Sequence, residues 1–149
     1  MLALFTSLPK RATRHCYRVL TWRKRLGFLG KAVSRIYRNS LAIRYGIYLS
    51  PLAVLGRSLN LPHPTGIVIG DGVVIGDRVT IYQNVTLGRK YAGTPSYPVV
   101  GNDVVIYAGV VIIGPVSIGD GAVIAANSVV TKTVPPGAVF AGVPARRIS

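Results

Sequence analysis

From Ile69 to Val130 an aliphatic residue returns at every sixth position. Ile69, Ile75, Ile81 and Leu87 keep this step, and after an interruption Val100, Ile106, Ile112, Ile118, Ile124 and Val130 resume it. Four places after each sits a second small or β-branched residue: Val73, Val79, Val85, Val104, Val110, Val116, Ala122, Ser128 and Val134. Tyr91 is the exception, and there the period breaks. Positions four apart share one side of a strand, so both sets can point inward. A period of six leaves no room for helices and predicts very short strands separated by tight bends. Gly70-Asp71, Gly76-Asp77 and Gly119-Asp120 supply residues suited to those bends. Three such flat sides closed around an aliphatic interior form one coil of a β-helix, whose backbone pairs with the coils above and below.

Two irregularities interrupt the pattern. Leu49, Leu55 and Leu61 are in phase with one another, and the next in-phase position is Ile67, yet the strong run starts at Ile69. A two-residue slip therefore falls just after His63, the one histidine of the repeat region. Solenoids carry function at such irregularities. The second break, Gly88 to Val99 (GRKYAGTPSYPV), is rich in Gly, Pro and Tyr and predicts a loop thrown out from the coil. A long loop on a rigid scaffold is a place for substrate contacts.

Before the repeats the pattern changes. Val33, Ile36, Tyr37 and Leu41 recur at helical spacing, with Arg35, Arg38 and Arg44 largely off that face. Two short amphipathic helices separated near Gly27 to Gly30 are expected. The organisation is thus a basic helical segment over 1–46 and a β-helical domain over 47–149 with a loop at 88–99. Residues 1–60 hold 12 Lys/Arg and no acid; residues 61–149 hold 6 Lys/Arg and 4 Asp, within a net charge of +14. The helices are expected to cap the open end of the β-helix. Their charge also suits an anionic lipid surface, with Trp22 among Arg23, Lys24 and Arg25. No nucleic-acid-binding motif accompanies the charge.

Half of the residues are hydrophobic and 15% are charged, which excludes a disordered chain. The single cysteine, Cys16, excludes a disulfide framework and a Cys-based metal site, and is expected to be buried and idle. A catalytic zinc needs about three protein ligands, and the only histidines are His15 and His63; no metal is expected. No apolar stretch reaches membrane-spanning length, and Met1 to Leu8 precedes the basic residues, the wrong order for a signal peptide. A cytoplasmic protein is expected, peripheral at most at the inner membrane face.

LPHPTGIVIG (Leu61–Gly70), IGDGVVIGDRVTIYQNVTLG (Ile69–Gly88) and VPPGAVFAGVPARRI (Val134–Ile148) resemble the hexapeptide-repeat acetyltransferases, most closely the serine O-acetyltransferase branch. The resemblance implies a left-handed parallel β-helix, a homotrimer with active sites between subunits, and acetyl-CoA as co-substrate. It implies that His63, the histidine of an LxHxTG motif, is the general base that takes the proton of an acceptor hydroxyl. An imidazole with a reference pKa of about 6.5 can do so near neutrality, contributing roughly 10² to 10⁴ in rate. For acetyl-CoA the matching positions are Ala108, Gly109 and Ala126 along the pantetheine arm, and Thr131, Lys132 and Arg146 toward the nucleotide.

The chain departs from the serine enzymes at the acceptor. The aspartate that partners the catalytic histidine corresponds to Tyr48, the aspartate before that histidine to Pro62, and the Arg-His-Pro loop motif to Ser96-Tyr97-Pro98. Asp71 or Tyr48 is then the candidate to orient His63. An amino acid acceptor needs a cation and a carboxylate around it. Tyr91 and Tyr97 instead offer flat faces suited to a sugar ring, while Arg89 and Lys90 could still hold a carboxylate. The acceptor expected is a sugar or polysaccharide precursor, as in shorter relatives of polysaccharide synthesis. L-serine is the alternative, and a non-catalytic β-helix that binds or supports is the alternative of another class.

Overall fold

The computed structural model of the chain describes residues 2–25, 27–93 and 95–149, with side chains described over 8–23, 27–93 and 95–149. Two helices, α1 (Leu2–Arg25) and α2 (Gly27–Tyr45), lead into short strands. These are β1 (Tyr48–Leu49), β2 (Val54–Leu55), β3 (Val68–Ile69), β4 (Val74–Ile75), β5 (Thr80–Ile81), β6 (Thr86–Gly88) and β7 (Val99–Val100). They continue as β8 (Val105–Ile106), β9 (Val111–Ile113), β10 (Ser117–Ile118), β11 (Val123–Ile124), β12 (Val129–Val130), β13 (Val139–Gly142) and β14 (Ala145–Arg147). The first face stacks β1-β3-β6-β9-β12, the second β2-β4-β7-β10, and the third β5-β8-β11-β13-β14. Every pairing is parallel except β13 with β14. This is a left-handed β-helix.

The registers explain the sequence period. Val68 pairs with Thr86 and Val111 with Val129, so an undisturbed coil is three hexads long. Tyr48 pairs with Val68, two residues more, which is the slip after His63. Thr86 pairs with Val111, seven more, which is the loop. That excursion is narrower than expected, because Gly88 ends β6 and Val99 begins β7.

All ten aliphatic positions of the main repeat are buried to 2% exposure or less, and so is the offset set from Val73 to Val134 apart from Val116, at 4%. Ser128 is the one polar member, and its Oγ accepts the Gly142 N–H at 3.1 Å. At the bends, Asp77 Oδ1 accepts the Arg57 N–H, Asn102 Oδ1 the Asp77 N–H, and Asp120 Oδ1 the Asn102 N–H, at 2.6, 2.8 and 2.7 Å. Each side chain thus satisfies an amide of the preceding coil that the short strands leave unpaired.

The helices pack together and onto the first coil. Ala12, Cys16, Val19 and Leu41 join the aliphatic core, and Tyr17 Oη donates to Gly56 O at 2.6 Å while accepting the Leu59 N–H at 3.1 Å. The two helices meet at the start of the expected Gly27 to Gly30 stretch: α1 ends at Arg25 and α2 begins at Gly27, whose φ is 50°, while Gly30 is buried within α2. One expectation changes here. Ile36 is 67% exposed; the buried face is Gly30, Ser34 and Leu41, spaced by four and seven residues as one helical stripe requires. Trp22 and Arg23 are half-buried. The side chains of Lys24 and Arg25, part of the expected lipid-facing cluster, lie outside the described residues. Among the described residues no helix is long and apolar enough to cross a membrane.

Candidate functional site

The edge where the third face turns into the first carries one stack of bends. Each has a residue in the left-handed region: Gly66 (φ 65°), Asn84 (φ 58°), Gly109 (φ 70°) and Asn127 (φ 58°). Asparagine tolerates this conformation, and glycine meets it without strain. At Gly109 the requirement is double, because a Cβ there would lie 2.2 Å from Asn127 Oδ1. The bends are tied together along the axis. Asn84 N–H donates to Thr65 O, Gly109 N–H to Gln83 O, and Asn127 N–H to Ala108 O, at 3.0, 3.0 and 2.8 Å. Thr65, Gln83 and Ala108 therefore form a column, with Ala126 at the same place in the next bend.

His63 opens this edge, and its carbonyl accepts the Thr65 N–H at 2.8 Å. The imidazole is exposed, 5.9 Å from the ring of Tyr82 at 49°, and Tyr82 stacks on Tyr107 at 5.1 Å and 17°. The slip thus places one exposed base at the end of an aromatic ridge, on the edge whose later bends carry the small residues Ala108, Gly109 and Ala126. Within the column Gln83 Oε1 is buried, with no hydrogen-bond donor among the described residues.

The opposite margin of the first face holds a cleft of about 530 Å³ between α2, the first coils and the loop. Its wall includes Arg38, Tyr48, Ser50, Asp71, Arg89 and Tyr97. Ser50 Oγ donates to Asp71 Oδ1 at 2.6 Å. The Tyr97 ring lies on the backbone of the Gly70–Gly72 bend, where a Cβ on Gly72 would sit 2.3 Å from the ring. A two-residue strand spans only about 7 Å, so the cleft and the His63 edge are close neighbours across the face.

Of the residues read from the sequence, Tyr48, Asp71, Arg89 and Tyr97 meet in this cleft, and His63 is not on its wall. Among the described residues the Asp71 carboxylate bonds to Ser50, and no hydrogen bond joins it or Tyr48 to the His63 ring. Tyr91 is 64% exposed, with Lys90 Nζ 5.2 Å from its ring centre, and is absent from the cleft wall. Ala108, Gly109 and Ala126 share the His63 edge. Thr131 and Lys132 follow β12 on the first face, and Arg146 lies on β14 at the rim of the third.

Cys16 is fully buried, and burial pushes its thiol up to about 12, which leaves no nucleophile there. His15 lies on α1, with Nδ1 2.8 Å from Arg11 O, far in sequence from the coils. Among the described residues no group of three or more His, Cys, Asp or Glu is placed to hold a metal ion.

Tyr82, Gln83, Tyr107, Ser50 and Arg38 were not singled out from the sequence. Tyr82 and Tyr107 each follow an inward isoleucine by one position, a signal that could have paired them. Ser50 and Arg38 join the cleft through tertiary packing alone.

Three parallel faces of two- and three-residue strands, stacked in coils of three hexads, define a hexapeptide-repeat protein. The model of the bacterial transferase hexapeptide (six repeats) matches residues 97–132. The chain is 41% identical over 128 residues to the serine acetyltransferase of Mycobacterium tuberculosis, covering 85% of this chain and 54% of that one. It is 38% identical over 138 residues to the serine acetyltransferase of Helicobacter pylori, covering 90% and 78%. A solved serine acetyltransferase in complex with CoA superimposes with a TM-score of 0.80 at 36% identity, covering 92% of this chain and 55% of that one. The chain belongs to the hexapeptide-repeat transferase family, in its serine acetyltransferase branch. It spans about half the length of the M. tuberculosis relative.

Proposed function

We propose that the chain transfers the acetyl group of acetyl-CoA to a hydroxyl, with His63 as general base. The observation that carries this is the exposed His63 at the slip, on the edge that also lines up Ala108, Gly109 and Ala126, in a chain of this branch. The neutral imidazole takes the hydroxyl proton as the oxygen attacks the thioester carbonyl; the C–S bond then breaks and the thiolate recovers the proton from the imidazolium. The products are an O-acetyl ester and CoA. The small side chains leave room for a pantetheine arm against the backbone, and Thr131, Lys132 and Arg146 are the candidates for its nucleotide end. A buried acceptor without a donor costs about 1–3 kcal/mol. A donor brought by that arm or by a neighbouring subunit would relieve this at Gln83.

The relatives are serine acetyltransferases, which moves L-serine ahead of the sugar acceptor favoured from the sequence. The sugar remains the second reading because Tyr48 and Tyr97 line the cleft, at positions where the family resemblance implies an aspartate and a histidine in the serine enzymes. On either reading the site is completed in a homotrimer, in which the His63 edge of one subunit faces its neighbour, and the enzyme works in the cytoplasm.

Free CoA release is the test, with L-serine and with a panel of sugars, in the wild type and in His63→Ala. The expected result is turnover with L-serine that falls by roughly 10² to 10⁴ in the variant. Turnover with a sugar alone would replace the serine reading. Absence of both turnover and CoA binding would leave a non-catalytic β-helix.

A further inference from the structure

A second pocket adjoins the cleft. Arg23 of α1 and Lys31, Arg35 and Arg38 of α2 meet Pro51 and Leu52 of the first coil around a space of about 270 Å³. No acid lies on its wall, and the first acid of the chain is Asp71. The ion pairs among the described residues are Arg57–Asp77 and Arg78–Asp103, so none of these four cations is neutralised by one. Arg23 is held in place, its Nη1 donating to Pro51 O at 2.8 Å. Four cations gathered around one cavity repel each other, and an anion among them reverses the sign of that interaction. Three guanidinium forks and an ammonium exceed what a single carboxylate can occupy and suit the several oxygens and double charge of a phosphate.

Arg38 and Pro51 line both this pocket and the 530 Å³ cleft. The two therefore form one continuous depression, cationic at the helical end, with Ser50, Asp71 and Tyr97 at the other. We propose that the helical pocket holds a phosphate or diphosphate group whose remaining portion extends into the cleft; on the sugar reading of the acceptor, the hydroxyl then belongs to a phosphorylated sugar. That the ligand is the acceptor rests on that second reading of acetyl transfer; the phosphate site does not.

Two sources carry this chemistry, a soluble phosphate ester and a lipid-linked one. The exposed face of α2 bears on the distinction. Phe28, Leu29, Ile36 and Ile43 are 86%, 67%, 67% and 84% exposed along it, opposite the buried stripe and beside Lys31 and Arg35.

The test is calorimetric titration of the full chain with inorganic diphosphate at about 150 mM NaCl, where diffuse surface charge is largely screened. Saturable binding is expected, weakened about tenfold or more by Lys31→Gln with Arg35→Gln. Lys10→Gln with Arg11→Gln removes the same charge from positions outside the pocket and should change binding by about twofold or less. Equal weakening by the two pairs would overturn the site in favour of the general field of a +14 chain, as would no saturable binding by the wild type. Circular dichroism of each variant checks that the fold is kept.

His63→Ala should bind diphosphate like the wild type, so failure of the acetyl-transfer reading and failure of the phosphate site are separable. Co-sedimentation with phosphatidylcholine vesicles, with and without phosphatidic acid, assigns the source. Phosphatidic acid binding lost in Lys31→Gln with Arg35→Gln, and displaced by diphosphate, places a lipid phosphate in the pocket. Vesicle binding unchanged by that pair while diphosphate binding is lost assigns a soluble ligand.

Discussion

At the scale of single residues, the polar groups of the coil are matched with one another except at its edge. There the buried Gln83 Oε1 has no donor among the described residues, although the coil satisfies the backbone around it. Replacing it with leucine removes an unmet polar group, so Gln83→Leu should melt at or above the wild-type temperature. If the acetyl-CoA arm supplies the missing donor, the same variant should raise KM for acetyl-CoA several-fold. Thermal melts and donor-side kinetics together check this, and a destabilised variant with unchanged KM would assign Gln83 a purely structural role. Gly72 is the converse case. A methyl there would meet the Tyr97 ring at 2.3 Å. Gly72→Ala should therefore push Tyr97 off the bend and raise the acceptor KM about tenfold while His63 chemistry, read as kcat, changes little. Steady-state kinetics against both substrates distinguish that outcome from a general loss.

These residues also mark where sequence reading stops. The place of His63 was legible because a slip of two residues against a strict period can be counted, whereas Ala108 and Gly109 were reached only through the family resemblance. Ser50 and Arg38 were not legible, since the cleft is made by α2 lying against the first coils, a contact no local period encodes. Tyr91 and Tyr97 are equally aromatic in the sequence, yet only Tyr97 has a glycine bend to lie on. The helical face was misjudged at Ile36 for a related reason. Apolar residues cover α2 nearly all round, so spacing alone does not say which stripe meets α1.

At the scale of the elements, strands of two or three residues cannot stand alone, and stability lies in the stack. Ile112, on β9 of the first face, sits between Leu87 and Val130 and is fully buried. Ile112→Ala should lower unfolding free energy by about 2–5 kcal/mol, measurable by urea titration. The bends add an electrostatic link between coils. The Asp77 carboxyl is held below its ordinary value first by the Arg57 backbone N–H, and that of Asp103 by the Arg78 guanidinium, whose Nε and Nη2 each donate at 2.6 Å. A carboxylate with a depressed folded pKa adds stability that is fully present above its unfolded value, near 3.8 here, and is lost as pH falls through the folded value. Asp103→Asn should therefore be less stable than the wild type at pH 7. The gap should close on acidification to below the ordinary carboxylate range. Asp103 and Arg78 are both solvent-exposed, so the gap is small, and urea midpoints at the two pH values are the measurement.

At the scale of the whole molecule, charge is divided along the axis: residues 1–60 carry +12 and residues 61–149 carry +2. The cleft lies under the basic helices, whereas Ala108, Gly109 and Ala126 lie on the nearly neutral coils. Salt therefore acts unequally on the two substrates. Screening shortens from about 10 Å at 0.1 M to about 3 Å at 1 M, which weakens long-range attraction for anions and leaves neutral ligands alone. A phosphorylated acceptor should lose affinity steeply with added NaCl, its KM rising about tenfold over that range. The KM of acetyl-CoA should rise less, and kcat should hold. L-serine, zwitterionic with no net charge at pH 7, should show an almost flat acceptor KM. The same salt series thus discriminates between the two acceptors by the slope of one parameter. A steeper slope for acetyl-CoA than for any acceptor would instead mean that the cationic half of the chain serves the donor, and the division of labour between helices and coils would have to be reversed.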